Sequence, residues 1–227
     1  MLNSTKYQHR FSDNHEGTEL PVGKVVCVGR NYLDHIKELG NEIPSQAIYF
    51  IKPSTAIRDM SNDIVIPQDK GACHNELELA FLVAKTLTKV TPEEVSESIA
   101  GVGLGLDLTL REEQEKLKEM GHPWERAKAF DGSCPLSEFR PWNELKELPY
   151  FEFSLYVNSQ QRQVGDSRLM IRTVFELIAD MSQFFTLEAG DVVLTGTPKG
   201  VGPLHVGDVI KATLSGYIEI DTRVVAA

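Results

Sequence analysis

Glu76 and Glu78 flank a leucine in the run HNELELAF, residues 74–81. Side chains of an extended chain alternate faces, so these two carboxylates point the same way, with Leu77 and Leu79 on the other side. Like charges that close repel unless water or a cation lies between them. The pair therefore reads either as a solvated strand face or as part of a metal cradle. Asp107 offers a third acid, standing alone in the apolar stretch GVGLGLDLTL, where an unpaired buried charge is costly. Three carboxylates with no cysteine partner and no obvious histidine ligand suit a hard, oxygen-seeking cation such as Mg²⁺ or Mn²⁺, with water or substrate completing its shell.

Other residues extend the possible chemistry. His35 and Glu38 lie three positions apart in NYLDHIKELG, hence on one helical face. There they form either a surface pair or a carboxylate-oriented base. Arg30 and Asn31 follow an apolar run ending in Gly29, a place where side chains line sites or simply make a turn. Lys128, in ERAKAFDGSCP, is either solvated or a cation for an anionic substrate. TGTPKGVGP, residues 195–203, surrounds Thr197 and Lys199 with glycine and proline, a rigid loop rich in free backbone N–H groups. It lacks the spacing of a phosphate-binding loop, and Gly101, Gly103 and Gly105 miss the dinucleotide fingerprint, so both glycine sets signal loops or close packing. No G-x-S-x-G elbow is present.

The elements that must position these residues are mostly strands. Apolar runs predict strands in KVVCVG, AIYFIKP, DIVIP, ELELAFLVAK and FEFSLYVN, the last turning at SQQ. GDVVLTG and GDVIKATL each read as a turn entering a strand. Helical spacing marks NYLDHIKELG up to Gly40, REEQEKLKEMG up to Gly121, and RTVFELIADMSQFF. Thr91, Pro92 and Glu94 predict a helix start with a capping box, running to about Gly101. Strands outnumber helices without steady βαβ alternation, which points to a β-rich α+β domain. Residues 1–21 read as a peripheral arm and 22–227 as one folded body.

Composition narrows the function classes. Of 227 residues, 41% are hydrophobic, enough for a sizeable core, and 23 Lys+Arg against 33 Asp+Glu leave a net charge of -10. That balance disfavours nucleic acid and anionic membranes as partners. Cys27, Cys73 and Cys134 suggest neither a disulfide framework nor zinc, and no signal peptide or membrane-length apolar run is seen, so a cytoplasmic protein is expected.

Taken in order, VVCVGRNYLDHIKELG, FIKPSTA, HNELELA, LGLDLTLREEQ, PWERAKAFDGSCPL and GDVVLTGTPKGVGPL resemble the fumarylacetoacetate hydrolase superfamily. The likeness covers roughly residues 22–223 and is greatest to its short single-domain branch of acylpyruvases, oxaloacetate decarboxylases and tautomerase-like proteins. It implies mixed β-sheets rolled into a barrel-like body, usually a homodimer, with one divalent cation per chain: Mg²⁺, with Mn²⁺ or Ca²⁺ as substitutes. By position, Glu76, Glu78 and Asp107 match the metal carboxylates. His35 and Glu38 match a catalytic pair on a mobile lid helix, and Lys128 matches a lysine facing the substrate. Arg30, Arg111, Gln114 and Thr197 fall where relatives contact substrate. Ala129 replaces the serine of the common KSFD form.

The implied chemistry is enolate stabilisation on a small 2-oxo acid. Its first reading is hydrolysis of the C–C bond of an acylpyruvate; keto–enol tautomerisation or decarboxylation of oxaloacetate is the alternative. A non-catalytic, metal-stabilised β-rich protein is the competing class.

Overall fold

The structure, a computed structural model, describes residues 7–13 and 15–227. Residues 1–6 and 14 of the expected arm lie outside the described residues. The architecture is α+β and β-rich, with three sheets among the described residues. The largest has eight strands. Along its main path they run Ile48–Lys52, Val25–Gly29, Val192–Leu194, Leu77–Val83, Ile99–Leu106, Cys134–Leu136 and Ile57–Asp59, while Arg140–Pro141 also pairs with Ile99–Leu106. Its pairings are mixed: Val25–Gly29 runs parallel to Val192–Leu194, and Leu77–Val83 runs antiparallel to both of its neighbours.

This sheet is apolar on both faces. Alternation sends Val26, Val28, Leu79, Phe81 and Val193 into the main core, and Val25, Cys27, Ala80, Leu82 and Val192 into a second cluster on the opposite side. Each fully buried valine or leucine contributes roughly 1.5–3 kcal/mol, so strands buried on both faces fix the sheet's register strongly. A five-stranded sheet closes the main core. Its strands run Gln160–Asp166, Glu152–Val157, Val209–Leu214, Ile218–Ala226 and Ile64–Ile66. A small third sheet joins Gly202–Pro203, Cys73–Asn75 and Thr109–Leu110.

The helices at Leu33–Glu38, Arg111–Glu119 and Val174–Phe184 fall where spacing predicts them, and Thr173 and Glu176 form a capping box for the last. The helix expected from Thr91 to about Gly101 is shorter. Its capping box is present, but the helix covers only Pro92–Val95, a 3₁₀ turn follows, and the chain turns into a strand at Ile99. Cross-strand pairing with Leu77–Val83 overrides the helical start, and a β-branched isoleucine suits that switch. The glycines that follow are strand, not loop, and serve close packing: a Cβ on Gly101 would lie 2.7 Å from the Arg140 carbonyl oxygen. The hairpin expected at SQQ turns one residue earlier, at Asn158 and Ser159, both with positive φ.

The described part of the arm packs against the body. His9 is fully buried with Nε2 3.0 Å from the Gly190 carbonyl, and Phe11 and Leu20 lie against the second apolar cluster.

Candidate active site

Glu76 immediately precedes the Leu77–Val83 strand, Glu78 lies on it, and Asp107 immediately follows its antiparallel partner Ile99–Leu106. Leu77 pairs with Leu106 and the Asp107 N–H donates to the Glu76 carbonyl at 2.8 Å, so sheet register alone brings residues 31 positions apart side by side. One ligand atom from each of the three carboxylates lies within 4.8 Å of the others. All three are buried, Glu78 at 1% exposure, which overturns the solvated-face reading. Parity places them on the side of the sheet that carries the second cluster, where small residues such as Ala80 and Cys27 leave room.

Cations surround the acids. Lys128 is buried, not solvated, and its Nζ donates to Glu76 Oε2 at 2.8 Å, Asp107 Oδ2 at 2.6 Å and Thr109 Oγ1 at 2.7 Å. Arg111 pairs with Glu76 Oε1 through Nη2 and donates from Nη1 to Gln114 Oε1 at 2.5 Å. Lys52, fully buried, lies 2.8 Å from Asp107 Oδ1 and donates to the Lys128 carbonyl and Ser133. Reasoning from the sequence gave Lys52 no role. The available signal was its place two residues after Phe50 in an apolar strand, which puts it on the buried face.

The protonation tendencies follow from these neighbours. Burial raises the Glu76 carboxyl, but Lys128 and Arg111 outweigh burial and hold it well below the usual carboxylate range. Glu78 accepts a 2.6 Å bond from the Gly196 N–H and, among the described residues, forms no direct ion pair, although Lys128 acts on it more weakly from beside its neighbours. Burial, then Asp107 and Glu76, push its carboxyl well above the usual range. Lys128 is lowered by burial but raised more by Asp107 and Glu76, so it stays an ammonium.

This donor set fits a divalent cation. Three converging carboxylates supply hard oxygens, Glu78 gains a direct counter-charge, and Asp107 Oδ1 is buried without a hydrogen bond, 2.8 Å from the Lys52 ammonium.

Across the cleft, the short helix Leu33–Glu38 carries His35 on its buried side. His35 Nδ1 lies 3.2 Å from Glu38 Oε2, and Glu38 Oε1 accepts from the Gly200 N–H at 2.9 Å. In the neutral imidazole, a proton on Nδ1 makes this contact a hydrogen bond to the carboxylate and leaves the lone pair on Nε2. The pair is partly sheltered rather than a surface pair. Arg30 holds a left-handed backbone, φ 63°, and its Nη2 donates to Asn41 Oδ1 at 2.9 Å, tying the helix exit down. Asn31 is structural: its amide bonds Arg172 and Thr195.

Of the residues that the resemblance implies, all but Glu38 line one narrow cavity of about 40 Å³; Glu38 stands behind His35, and Asn31 and Lys199 do not line it. A wider groove of about 570 Å³ continues outward past Arg30, Phe50, Lys118 and Trp124, residues common to both.

Comparisons with known proteins follow the same lines. The chain is 52% identical over 221 residues to an oxaloacetate tautomerase of Escherichia coli K12, covering 96% of this chain and 99% of that one. It is 40% identical over 194 residues to a mitochondrial oxaloacetate decarboxylase of Dictyostelium discoideum, covering 85% and 89%. The crystal structure of fumarylpyruvate hydrolase from Pseudomonas aeruginosa in complex with Mn²⁺ and pyruvate superposes with a TM-score of 0.92 at 32% identity, covering 100% of this chain and 99% of that one. Residues 24–225 match the family described as fumarylacetoacetate (FAA) hydrolase, C-terminal, and the chain belongs to that family.

Proposed function

We propose that this protein interconverts the keto and enol forms of oxaloacetate. The carrying observation is the buried convergence of Glu76, Glu78 and Asp107 with the Lys128 ammonium among them, a site built to hold a cation beside an anionic oxygen. Similarity to the Escherichia coli oxaloacetate tautomerase over nearly the full length of both chains favours this substrate over an acylpyruvate, reversing the order of the two readings drawn from sequence.

A divalent cation held by the three carboxylates, Mg²⁺ with Mn²⁺ or Ca²⁺ as substitutes, would act as a Lewis acid toward the 2-oxo acid. The chain supplies the rest. Lys128 and Arg111 place positive charge at the rim of the acids, where they stabilise negative charge on a substrate oxygen. His35 Nε2, oriented through Nδ1 by Glu38, takes a proton from the carbon next to the ketone and delivers it to the enolate oxygen, which gives the enol; the same two transfers in reverse give back the ketone. The narrow cavity limits water around the exposed charge. The same reading takes residues 22–227 as the catalytic domain with 1–21 as an arm, acting as a homodimer in the cytoplasm. Among the described residues, no helix is long and apolar enough to cross a membrane.

The second reading, hydrolysis of an acylpyruvate, draws on the outer groove, which continues from the cavity and has room for an acyl tail. One experiment decides between them: a Mg²⁺-supplemented comparison of oxaloacetate enol-to-keto conversion, oxaloacetate decarboxylation, and acetylpyruvate and fumarylpyruvate cleavage. Tautomerisation is expected to show the highest kcat/KM. A higher kcat/KM for either acylpyruvate overturns the assignment.

A further inference from the structure

The strand Gln160–Asp166 breaks a packing rule. Val164 is 58% exposed while its polar neighbour Gln163 is 1% exposed, so the chain turns a valine to solvent and a glutamine into the interior. A register shift makes this possible. Leu155 pairs with Gln163 and Tyr156 with Gln161, which leaves Arg162 as the extra residue of a bulge. A local rule broken this way calls for a compensating gain.

The gain is visible in the bonds of the Gln163 amide, all of whose capacity is used in one direction. Oε1 accepts from the Leu77 N–H and from Asn75 Nδ2, both at 2.9 Å. Nε2 donates to Thr197 Oγ1 at 2.7 Å and to the Pro198 carbonyl at 2.9 Å. Leu77 is the residue between Glu76 and Glu78. Thr197 follows Gly196, whose N–H holds Glu78, and its own hydroxyl donates to the Leu77 carbonyl at 2.9 Å. The far end of the same loop is pinned at Gly200, where a Cβ would lie 1.8 Å from the Arg162 carbonyl oxygen, and whose N–H holds Glu38.

We propose that Gln163 is a positioning residue of the active site: from the second sheet it fixes the spacing between the strand carrying Glu76 and Glu78 and the 196–200 loop that holds Glu78 and Glu38. It touches no part of the cavity itself and acts through Leu77 and Thr197. This inference rests on the reading of Glu76, Glu78 and Asp107 as cation ligands. Residues that orient metal ligands from behind typically change affinity by about 10- to 100-fold when replaced.

The test uses the full chain stripped with chelator and titrated with Mn²⁺, with free ion followed by electron paramagnetic resonance. Gln163→Met keeps side-chain length and removes all four bonds. Leu155→Ala, at the paired position, loosens the same sheet without touching the loop. Gln163→Met is expected to weaken Mn²⁺ binding at least about tenfold, with Leu155→Ala close to the unsubstituted chain. Should Gln163→Met fail to fold, Thr197→Val, which removes the hydroxyl receiving the amide, must give the same loss. Unchanged affinity in the variant that folds overturns the proposal while leaving the cation site standing, as does an equal loss in Leu155→Ala. Failure of the unsubstituted chain to bind Mn²⁺ overturns both.

Discussion

Glu78→Gln separates a cation site from a merely polar interior. Among the described residues of the metal-free chain Glu78 accepts from the Gly196 N–H and forms no direct ion pair, and its carboxyl is held well above the usual range by burial, Asp107 and Glu76, which outweigh Lys128. Glutamine imitates the protonated acid and can still accept from Gly196. Two unit charges about 4 Å apart interact by about 4 kcal/mol at an effective dielectric near 20, so an ionised Glu78 beside its neighbours costs several kcal/mol. The metal-free Glu78→Gln chain should therefore be as stable as the unsubstituted one, or more so. Asp107→Asn should behave in the opposite way. It strips a buried carboxylate from Lys128 and Lys52, and breaking such a pair costs about 3–5 kcal/mol.

With a divalent ion the two variants should converge. The gross attraction of a double charge to one carboxylate, about 8 kcal/mol at the same separation, is largely offset by dehydration; a residue of about 3 kcal/mol corresponds to a loss of at least about 100-fold in affinity. Urea unfolding of chelator-stripped protein and calorimetric Mn²⁺ titration measure both halves. The pH dependence has a definite sign. A carboxyl raised above its ordinary 4.5 in the folded state contributes stability that is complete below 4.5 and lost as pH rises through the folded value. The metal-free chain should lose that contribution above the folded value, and Glu78→Gln should not. Equal destabilisation by Glu78→Gln and Asp107→Asn, or full Mn²⁺ affinity in Glu78→Gln, refutes the reasoning.

Three further outcomes are expected. His35→Ala removes the group that moves the proton in oxaloacetate tautomerisation, so kcat should fall by about 10²- to 10⁴-fold, and an unchanged kcat would remove His35 from that role. His74, pushed down to about 4 by burial and Arg111, should titrate there by NMR; because its folded value lies below the ordinary 6.5, the stability it contributes above 6.5 is lost as pH falls toward 4. Gly200→Ala combines φ +98° with the clash against Arg162, so it should cost at least about 1–3 kcal/mol in urea unfolding and weaken kcat through Glu38; an unaffected midpoint would contradict the close approach.

Local pattern carried much of this architecture because strand and helix periods are short-range properties. Glu76 and Glu78 share a face by parity alone, and RTVFELIADMSQFF reads as a helix by its apolar spacing alone. Burial of the same carboxylates was not legible locally, since it depends on what covers the strand, and Asp107 reaches them only through sheet register. Lys128 was undecided for the same reason. Ile99 shows the reverse failure, a correctly read capping box whose helix is cut short by a strand partner earlier in the chain. Gln163 was invisible because a bulge inverts the alternation on which such reading depends.

The Leu77–Val83 strand lies at the middle of the largest sheet, paired on both edges and covered on both faces, whereas Leu33–Glu38 is six residues long with no side-chain cap. Opening free energies within one protein range from near zero to the full global value, and the strand should lie well above the helix on that range. Amide hydrogens of the central strand should exchange only when the whole domain unfolds, and those of the short helix through brief local opening. The Glu78 carboxylate on the central strand should thus keep its place through every local opening of the helix that carries His35.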